Sequence, residues 1–356
     1  MKSLTPSQAN DQVMSRDAVL IDVRTHAEFA AGAAEPATLL PIDSLTVEDL
    51  AAYADQPLIF ICQKDPRSRR AAEMALDAGF ADVAFVEGGS EAWQQSNLPW
   101  TVGDSFYDRY ARHLSLNEIG ETGQRRLLDS HVVMVGAGGL GAPIALYLAA
   151  AGVGHITLID DDVVERSNLQ RQVVHADRRI GVPKVESARQ SMLELNPTIR
   201  VDAVQERLTS DNAMQLFADA DVVIDGADNF ATRHIVNDAC FRLQKAWVYG
   251  AILQFDGQAS VFDLRDPKGE QPCYRCLFPE APDASFAPNC TEAGVLGVLP
   301  GLVGMIQATE TLKLLLGIGD SLAGRLLQVD ALKMSFRSVR LRKDPTCPQC
   351  GSHSMR

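Results

Sequence analysis

Cys62 closes a short apolar run, Leu58-Ile59-Phe60-Ile61, and is followed at once by Gln63-Lys64-Asp65-Pro66-Arg67-Ser68-Arg69-Arg70. Residues 1–104 hold 7 basic and 16 acidic residues, a net of −9, and four of those seven cations (Lys64, Arg67, Arg69 and Arg70) fall in this one stretch. A very acidic segment has gathered its positive charge around one thiol. The apolar run reads as a buried strand and 63–67 as a tight loop. Ser68 reads as the cap of a helix through 69–78 that stops at Gly79. A cysteine facing a helix N-terminus and several cations is held toward thiolate, and loop N–H groups there cradle an anionic sulfur species. The plainer reading is a structural cysteine beside a solvated helix start.

A second set begins at Gly136-Ala137-Gly138-Gly139-Leu140-Gly141, a G-x-G-x-x-G between an apolar run over 132–135 and an alanine-rich helix with Pro143 in its first turn. The next apolar run, 156–159, ends in Asp160-Asp161-Asp162. Asp160 stands 19 residues after Gly141, the place for a carboxylate that accepts ribose hydroxyls. Alone, this fingerprint leaves open NAD(P), another nucleotide, or glycines needed only for packing. The following residues narrow it. Ser167-Asn168-Leu169-Gln170-Arg171-Gln172 comes just after the acidic strand end, Lys184 follows Gly181-Val182-Pro183, and Asp228-Asn229 lies beyond a strand over 220–224. Two cations clamp a triphosphate and stabilise charge at an attacked phosphorus. A strand-end carboxylate holds the Mg2+ that bridges phosphate oxygens. Hydride transfer needs none of these, so the set favours ATP over a nicotinamide cofactor.

Cys273-Tyr274-Arg275-Cys276 and Cys347-Pro348-Gln349-Cys350 are two C-x-x-C pairs. Together they predict a closed tetrahedral Zn2+ site, structural because no ligand position stays open; two unrelated pairs or a redox pair are the alternatives. Cys240 reads as core. Cys290 follows a stretch rich in Ala, Pro and Ser and is a candidate acyl acceptor on a loop, or an incidental thiol.

Two family resemblances follow from these residues. Ile21-Asp22-Val23-Arg24, Glu28-Phe29-Ala30-Ala31-Gly32, the Cys62 loop and Val86-Glu87-Gly88-Gly89 with Trp93 resemble the single-domain rhodaneses over about residues 5–100. That resemblance implies a persulfide on Cys62 and a loop-arginine role for Arg67. The chain departs from the family at Ala33, Ala34 and Glu35, and in the loop at Asp65, where a glycine is usual and a carboxylate should weaken anion binding. From about Tyr107 to Cys350 the glycine loop, the Asp160-x-Asp162 strand end, the 167–172 segment, Lys184, Asp228-Asn229 and the cysteine pairs resemble the molybdopterin-synthase and thiazole-biosynthesis adenylyltransferases (MoeB/ThiF). The resemblance implies activation of the C-terminal glycine of a small ubiquitin-like sulfur carrier ending in Gly-Gly. ATP would give an acyl-adenylate, and sulfur would then leave a thiocarboxylate. It also implies phosphate contacts for Asn168, Arg171 and Lys184, ribose binding by Asp160, and Mg2+ binding by Asp228. By the same resemblance Arg112 reaches a partner subunit's ATP, so a homodimer is expected. The sulfur would come from a donor such as a cysteine desulfurase, with molybdopterin biosynthesis the favoured pathway and thiazole or cysteine biosynthesis the alternatives. Two other readings compete: an NAD(P) oxidoreductase fused to a rhodanese, and a rhodanese that only docks a partner.

These residues need α/β layers to position them. At 356 residues, 46% apolar and 22% charged, the chain is globular and long enough for two or three domains. The expected division is a rhodanese-like α/β domain over 1–102 and a Rossmann-like ATP-binding adenylation domain over 103–356. A net charge of −13 argues against nucleic acid as the main partner. Seven cysteines are too few for a disulfide scaffold, and a cytoplasmic setting is expected. Residues 132–159 hold no Asp, Glu, Lys or Arg, but six glycines and Pro143 divide them into strand, loop, helix and strand rather than a membrane span.

Overall fold

The structure, a computed structural model, describes residues 1–15, 17–103, 105–265, 269–280 and 294–351. It divides into two compact units, Met1–Gly120 and Glu121–Arg356.

The first unit runs β1 (Lys2–Leu4), α1 (Pro6–Met14), β2 (Val19–Asp22), α2 (His26–Ala30), β3 (Gly32–Ala34), β4 (Ala37–Leu39) and α3 (Val47–Ala51). It continues through β5 (Leu58–Ile61), α4 (Pro66–Asp77), β6 (Val83–Val86), α5 (Gly89–Gln95), β7 (Trp100–Val102) and α6 (Ser105–Leu114). Five parallel strands lie in the order β1-β6-β5-β2-β4, and β3 pairs with β7 in a separate antiparallel ribbon. β5 is central. Leu58, Ile59, Phe60 and Ile61 are all buried because helices cover both faces of the sheet, which is why the strand is apolar throughout rather than alternating. Its carboxyl end delivers Cys62.

The second unit runs α7 (Gly120–Asp129), β8 (His131–Val135), α8 (Gly141–Ala151), β9 (His155–Ile159), α9 (Lys184–Leu195), β10 (Arg200–Val204), α10 (Ser210–Phe217) and β11 (Val222–Asp225). It continues through α11 (Phe230–Leu243), β12 (Ala246–Leu253), β13 (Asp256–Asp263), α12 (Tyr274–Leu277), α13 (Leu299–Leu316), β14 (Arg325–Asp330) and β15 (Ser335–Arg340). The sheet order is β10-β9-β8-β11-β12-β13-β14-β15. The first five strands are parallel and the last three antiparallel. The chain leaves β8 toward β9 on one side and returns to β11 on the other. Ligands bind in the crevice that this reversal opens at the strands' carboxyl ends. The uncharged stretch 132–159 resolves into β8, α8 and β9 as the glycines implied. Among the described residues no helix is long and apolar enough to cross a membrane.

Candidate active sites and metal centre

In the first unit Cys62 is 1% exposed, and its Sγ donates to Ser68 Oγ at 3.3 Å. Ser68 Oγ donates in turn to the Asp65 carbonyl at 3.0 Å. Ser68 is therefore not the helix cap expected from the sequence. α4 starts earlier, with Pro66 in its first turn, where the missing N–H is no loss, and Ser68 is buried inside that turn beside the thiol.

The loop is held by the start of α5. Ser90 N–H donates to the Cys62 carbonyl at 2.7 Å, and Glu91 N–H to the Gln63 carbonyl at 3.3 Å. Gly88 N–H donates to Asp65 Oδ1 at 2.8 Å. A Cβ at Gly89 would stand 2.1 Å from the Cys62 carbonyl oxygen, so only a glycine lets the helix begin this close. The Asp65 carboxylate is thus engaged by a backbone amide.

The cations are also engaged. Arg67 makes a bidentate pair with Glu28, both contacts at 2.7 Å, and Lys64 lies 3.8 Å from Glu91. The Arg69 guanidinium stacks over Phe85 at 4.6 Å. The positive charge that the sequence assembles around Cys62 is therefore partly neutralised by carboxylates from other segments, Glu28 being 39 residues away in the chain. Burial alone would raise the Glu28 carboxyl. Hydrogen bonds from Arg67 and Thr25, with the Arg67 charge, outweigh it and hold the group at about 2. The segment carrying Glu28 is itself tied down: buried Arg24 pairs with buried Asp22 at 2.7 Å and donates to the Gly32 carbonyl at 2.8 Å.

In the second unit the four glycines of the loop divide by role. Gly136 has φ +94°, and a Cβ there would lie 2.8 Å from the Gly226 carbonyl; one at Gly141 would lie 2.1 Å from the Gly136 carbonyl. Packing of β8, β11 and α8 requires both. Gly138 and Gly139 meet only side chains at 3.3 Å or more, those of Gln172, Pro300 and Arg171. Asp160 accepts from the Ala137 N–H at 2.8 Å and the Asp162 N–H at 2.9 Å. Burial raises its carboxyl against the pull of Lys184 and these bonds. Lys184 opens α9, is 6% exposed and donates to Asp162 Oδ2 at 2.7 Å. Ser167 and Asn168 close a 3-10 turn, and Asn168 Nδ2 donates to Ser167 Oγ at 3.3 Å. Arg171 donates to the Ser167 carbonyl at 3.2 Å, while Leu169 and Gln170 connect them. Asp228 is exposed beyond β11, and Asn229 caps α11 through the Thr232 N–H.

Two supports here were given no role from the sequence, although Asp225 ends the strand before Asp228 and Arg233 closes the Asp228-Asn229-Phe230-Ala231-Thr232-Arg233 stretch of the ThiF-like pattern. Buried Asp225 pairs with buried Arg233 at 3.1 Å, and Arg233 also donates to the Ala227 carbonyl at 2.7 Å, fixing the turn that leads to Asp228. His175 lies behind the glycine loop. Its Nε2 donates to the Ala137 carbonyl at 3.0 Å, so its Nδ1 accepts from Ser187 Oγ at 2.9 Å. Burial, with the charges of Lys184 and Arg179, lowers its pKa to about 4 despite the carbonyl bond. Only its place three residues after Gln172 hinted at it.

The sulfur atoms of Cys273, Cys276, Cys347 and Cys350 all lie within 4.8 Å of one another. Cys273 and Cys347 are 3.6 Å apart, and Cys276 and Cys350 3.3 Å. A zinc–sulfur bond of about 2.3 Å in a tetrahedron puts sulfurs about 3.8 Å apart, so four soft donors in this arrangement fit Zn2+. Cys240 is separate: it is buried and burial pushes its thiol up, as a core cysteine's should be. Arg112 is exposed on α6. Cys290 lies outside the described residues.

Comparison with known proteins bears on these sites. The ThiF family model matches residues 110–349 and the rhodanese-like domain model residues 5–96. The chain is 54% identical over 244 residues to the SAMP-activating enzyme E1 of Haloferax volcanii, covering 68% of this chain and 88% of that one. It is 51% identical over 255 residues to the sulfur carrier protein adenylyltransferase of Thermus thermophilus, covering 71% and 93%. It is 45% identical over 260 residues to the adenylyltransferase and sulfurtransferase MOCS3 of Culex quinquefasciatus, covering 73% and 58%. The fold also matches that of E. coli MccB solved with ATP, with a TM-score of 0.60 at 20% identity over 73% of this chain and 80% of that one.

Proposed function

The chain belongs to the ThiF family, and from that premise we propose that it adenylylates the C-terminal glycine of a small ubiquitin-like sulfur carrier and then passes it sulfur. The observation that carries this reading is the ThiF match laid over a strand-end site with a glycine loop, an acidic strand end and a nearly buried lysine. The relative of 51% identity is named a sulfur carrier protein adenylyltransferase, and the one of 54% a SAMP-activating enzyme E1.

In this reading ATP lies along Gly138 and Gly139, whose amides face it without a side chain between. Asp160 takes the ribose. Arg171, Asn168 and Lys184 hold the phosphates, Lys184 exchanging its bond to Asp162 for them. Two fixed cations would stabilise the charge that builds as the carrier's carboxylate attacks the α-phosphorus and pyrophosphate leaves. Asp228 would hold Mg2+, which neutralises phosphate charge when bound. The four cysteines would hold Zn2+ and take no part in the reaction. Arg112 would act on the nucleotide of a second copy, making the functional enzyme a homodimer. Cys62 would carry a persulfide received from a sulfur donor such as a cysteine desulfurase. The terminal sulfur of that persulfide would displace AMP from the acyl-adenylate to give an acyl disulfide on Cys62. A second thiol would then attack the Cys62 sulfur, breaking the S–S bond, releasing the thiocarboxylate and leaving a disulfide for an external thiol to reduce. Tethering the carrier of sulfur to the adenylating unit raises its local concentration. Cys290 would accept the acyl group or the sulfur.

Pyrophosphate release from ATP tests the reading. Candidate carriers, the molybdopterin one first, are supplied intact and without the terminal glycine. Release that needs the terminal glycine is the expected result. No release with any carrier from folded protein would sink it.

A further inference from the structure

We infer that Glu28 sets the donor specificity of the Cys62 loop: by neutralising Arg67 it makes the loop a site for sulfur delivered as a persulfide and a poor one for dianionic sulfur donors. The inference rests on the reading of Cys62 as a sulfur carrier.

The charges around the thiol carry it. Lys64 and Arg67 are the two basic residues between Cys62 and Ser68. Arg67 faces Glu28 with both terminal nitrogens at 2.7 Å, and Lys64 faces Glu91. Arg24 is closed on Asp22. Asp65 adds a carboxylate, which meets the Gly88 amide. Between Cys62 and Ser68 the loop therefore offers an incoming anion the first turn of α4 and two cations that each face a carboxylate, while Arg69 and Arg70 lie further along α4, Arg69 against Phe85. Such a site suits a group with one negative charge or none. Glu28 does not stand there by chance of rotamer: its Oε2 accepts from both Thr25 N–H and Thr25 Oγ1 at 2.9 Å, closing the capping box of α2.

A persulfide R–S–SH meets these conditions. The Cys62 thiolate attacks the terminal sulfur, a Cys62 S–S bond forms, the donor's S–S bond breaks, and R–S⁻ leaves and takes its proton from water. The transferred sulfur keeps its oxidation state, so no oxidant or reductant enters. Thiosulfate would deliver the same sulfur, but its sulfite leaving group carries two charges, which a free guanidinium beside the helix start would hold better than the helix start alone.

The test uses the full chain. Persulfide formation at Cys62 is followed by mass spectrometry with glutathione persulfide or thiosulfate, in the wild type and in Glu28→Gln, whose amide oxygen still serves Thr25. The expected result is a rise of about tenfold or more in the thiosulfate-to-persulfide ratio of kcat/KM in the variant, because Arg67 is freed. An unchanged ratio overturns the inference. Alkylation of Cys62 by neutral iodoacetamide and anionic iodoacetate gives a second readout, with the iodoacetate share rising in Glu28→Gln. If neither donor loads the wild type, the sulfur-carrier reading fails. The alkylation ratio then decides the role of Glu28 alone: a shift upholds its control of the loop's charge, and no shift removes it.

Discussion

His175 supports the glycine loop without carrying a charge, and that fixes a pH dependence. Its ordinary value is 6.5 and its folded value about 4. Above 6.5 both folded and unfolded forms are neutral there, and the native contacts count in full. As pH falls from 6.5 toward 4 the unfolded chain takes a proton that the native site refuses, so stability is lost with falling pH over that window. The full shift is worth about 3 kcal/mol for a group this buried. His175→Gln keeps a donor and an acceptor but cannot titrate. Urea midpoints at pH 7 and pH 4.5 should therefore fall further in the wild type than in the variant, and equal falls would remove His175 as the titrating group. Glu28, in the other unit, acts lower. Its carboxyl is depressed to about 2, so its contribution is present above 4.5 and lost only below that.

The glycine loop between β8 and α8 separates folding from binding at the level of one element. Gly141→Ala puts a Cβ 2.1 Å from the Gly136 carbonyl, a contact no rotamer relieves. The backbone must move, and a loss of about 2 kcal/mol or more is expected in thermal melts. Gly138→Ala meets only Gln172 Nε2, at 3.5 Å, so it should leave the melt nearly unchanged and instead weaken ATP in a binding titration. Equal stability of the two variants would refute this division. The sequence made β5, β8 and β9 legible because strands covered on both faces must be apolar along their length. It made the loop legible because the glycine spacing answers two close backbone approaches. It did not reveal where α4 begins, since Pro66 and Ser68 both suit a first turn and the choice depends on the Cys62 and Gly88 contacts. Nor did it reveal that Glu28 pairs with Arg67, or Asp65 with Gly88. Such partners, 39 and 23 residues apart, are set by strand order, which local pattern does not encode.

Across the whole molecule the cysteine cluster has the longest reach. Cys273 and Cys276 flank the start of α12, and Cys347 and Cys350 lie beyond β15. The covalent path between the pairs runs through α13 and the β14–β15 hairpin, so a shared ion closes a loop of more than seventy residues and fixes the terminal segment to the body of the second unit. Hydrogen bonds also tie it there: Leu341 N–H donates to the Gly324 carbonyl at 2.8 Å, Lys343 to the Gly269 carbonyl, and Asp344 N–H to Cys276 Sγ at 3.4 Å. Four thiolates packed this closely repel one another unless a cation sits between them, so folding and metal binding should be one event. Elemental analysis is expected to find one zinc per chain. Stripping it with a chelator should lower the melting temperature of the second unit by on the order of 10 °C, since each kcal/mol lost there is worth about 2–4 °C. Cys276→Ser should reproduce the loss without chelator, because Cys276 contributes one sulfur of the 3.3 Å pair. The first unit holds Cys62 in its own core and none of the four ligands, so Cys62 alkylation should proceed at the same rate with and without metal. Zinc-free protein that melts with the metal-loaded protein would reduce the cluster to four ordinary core thiols.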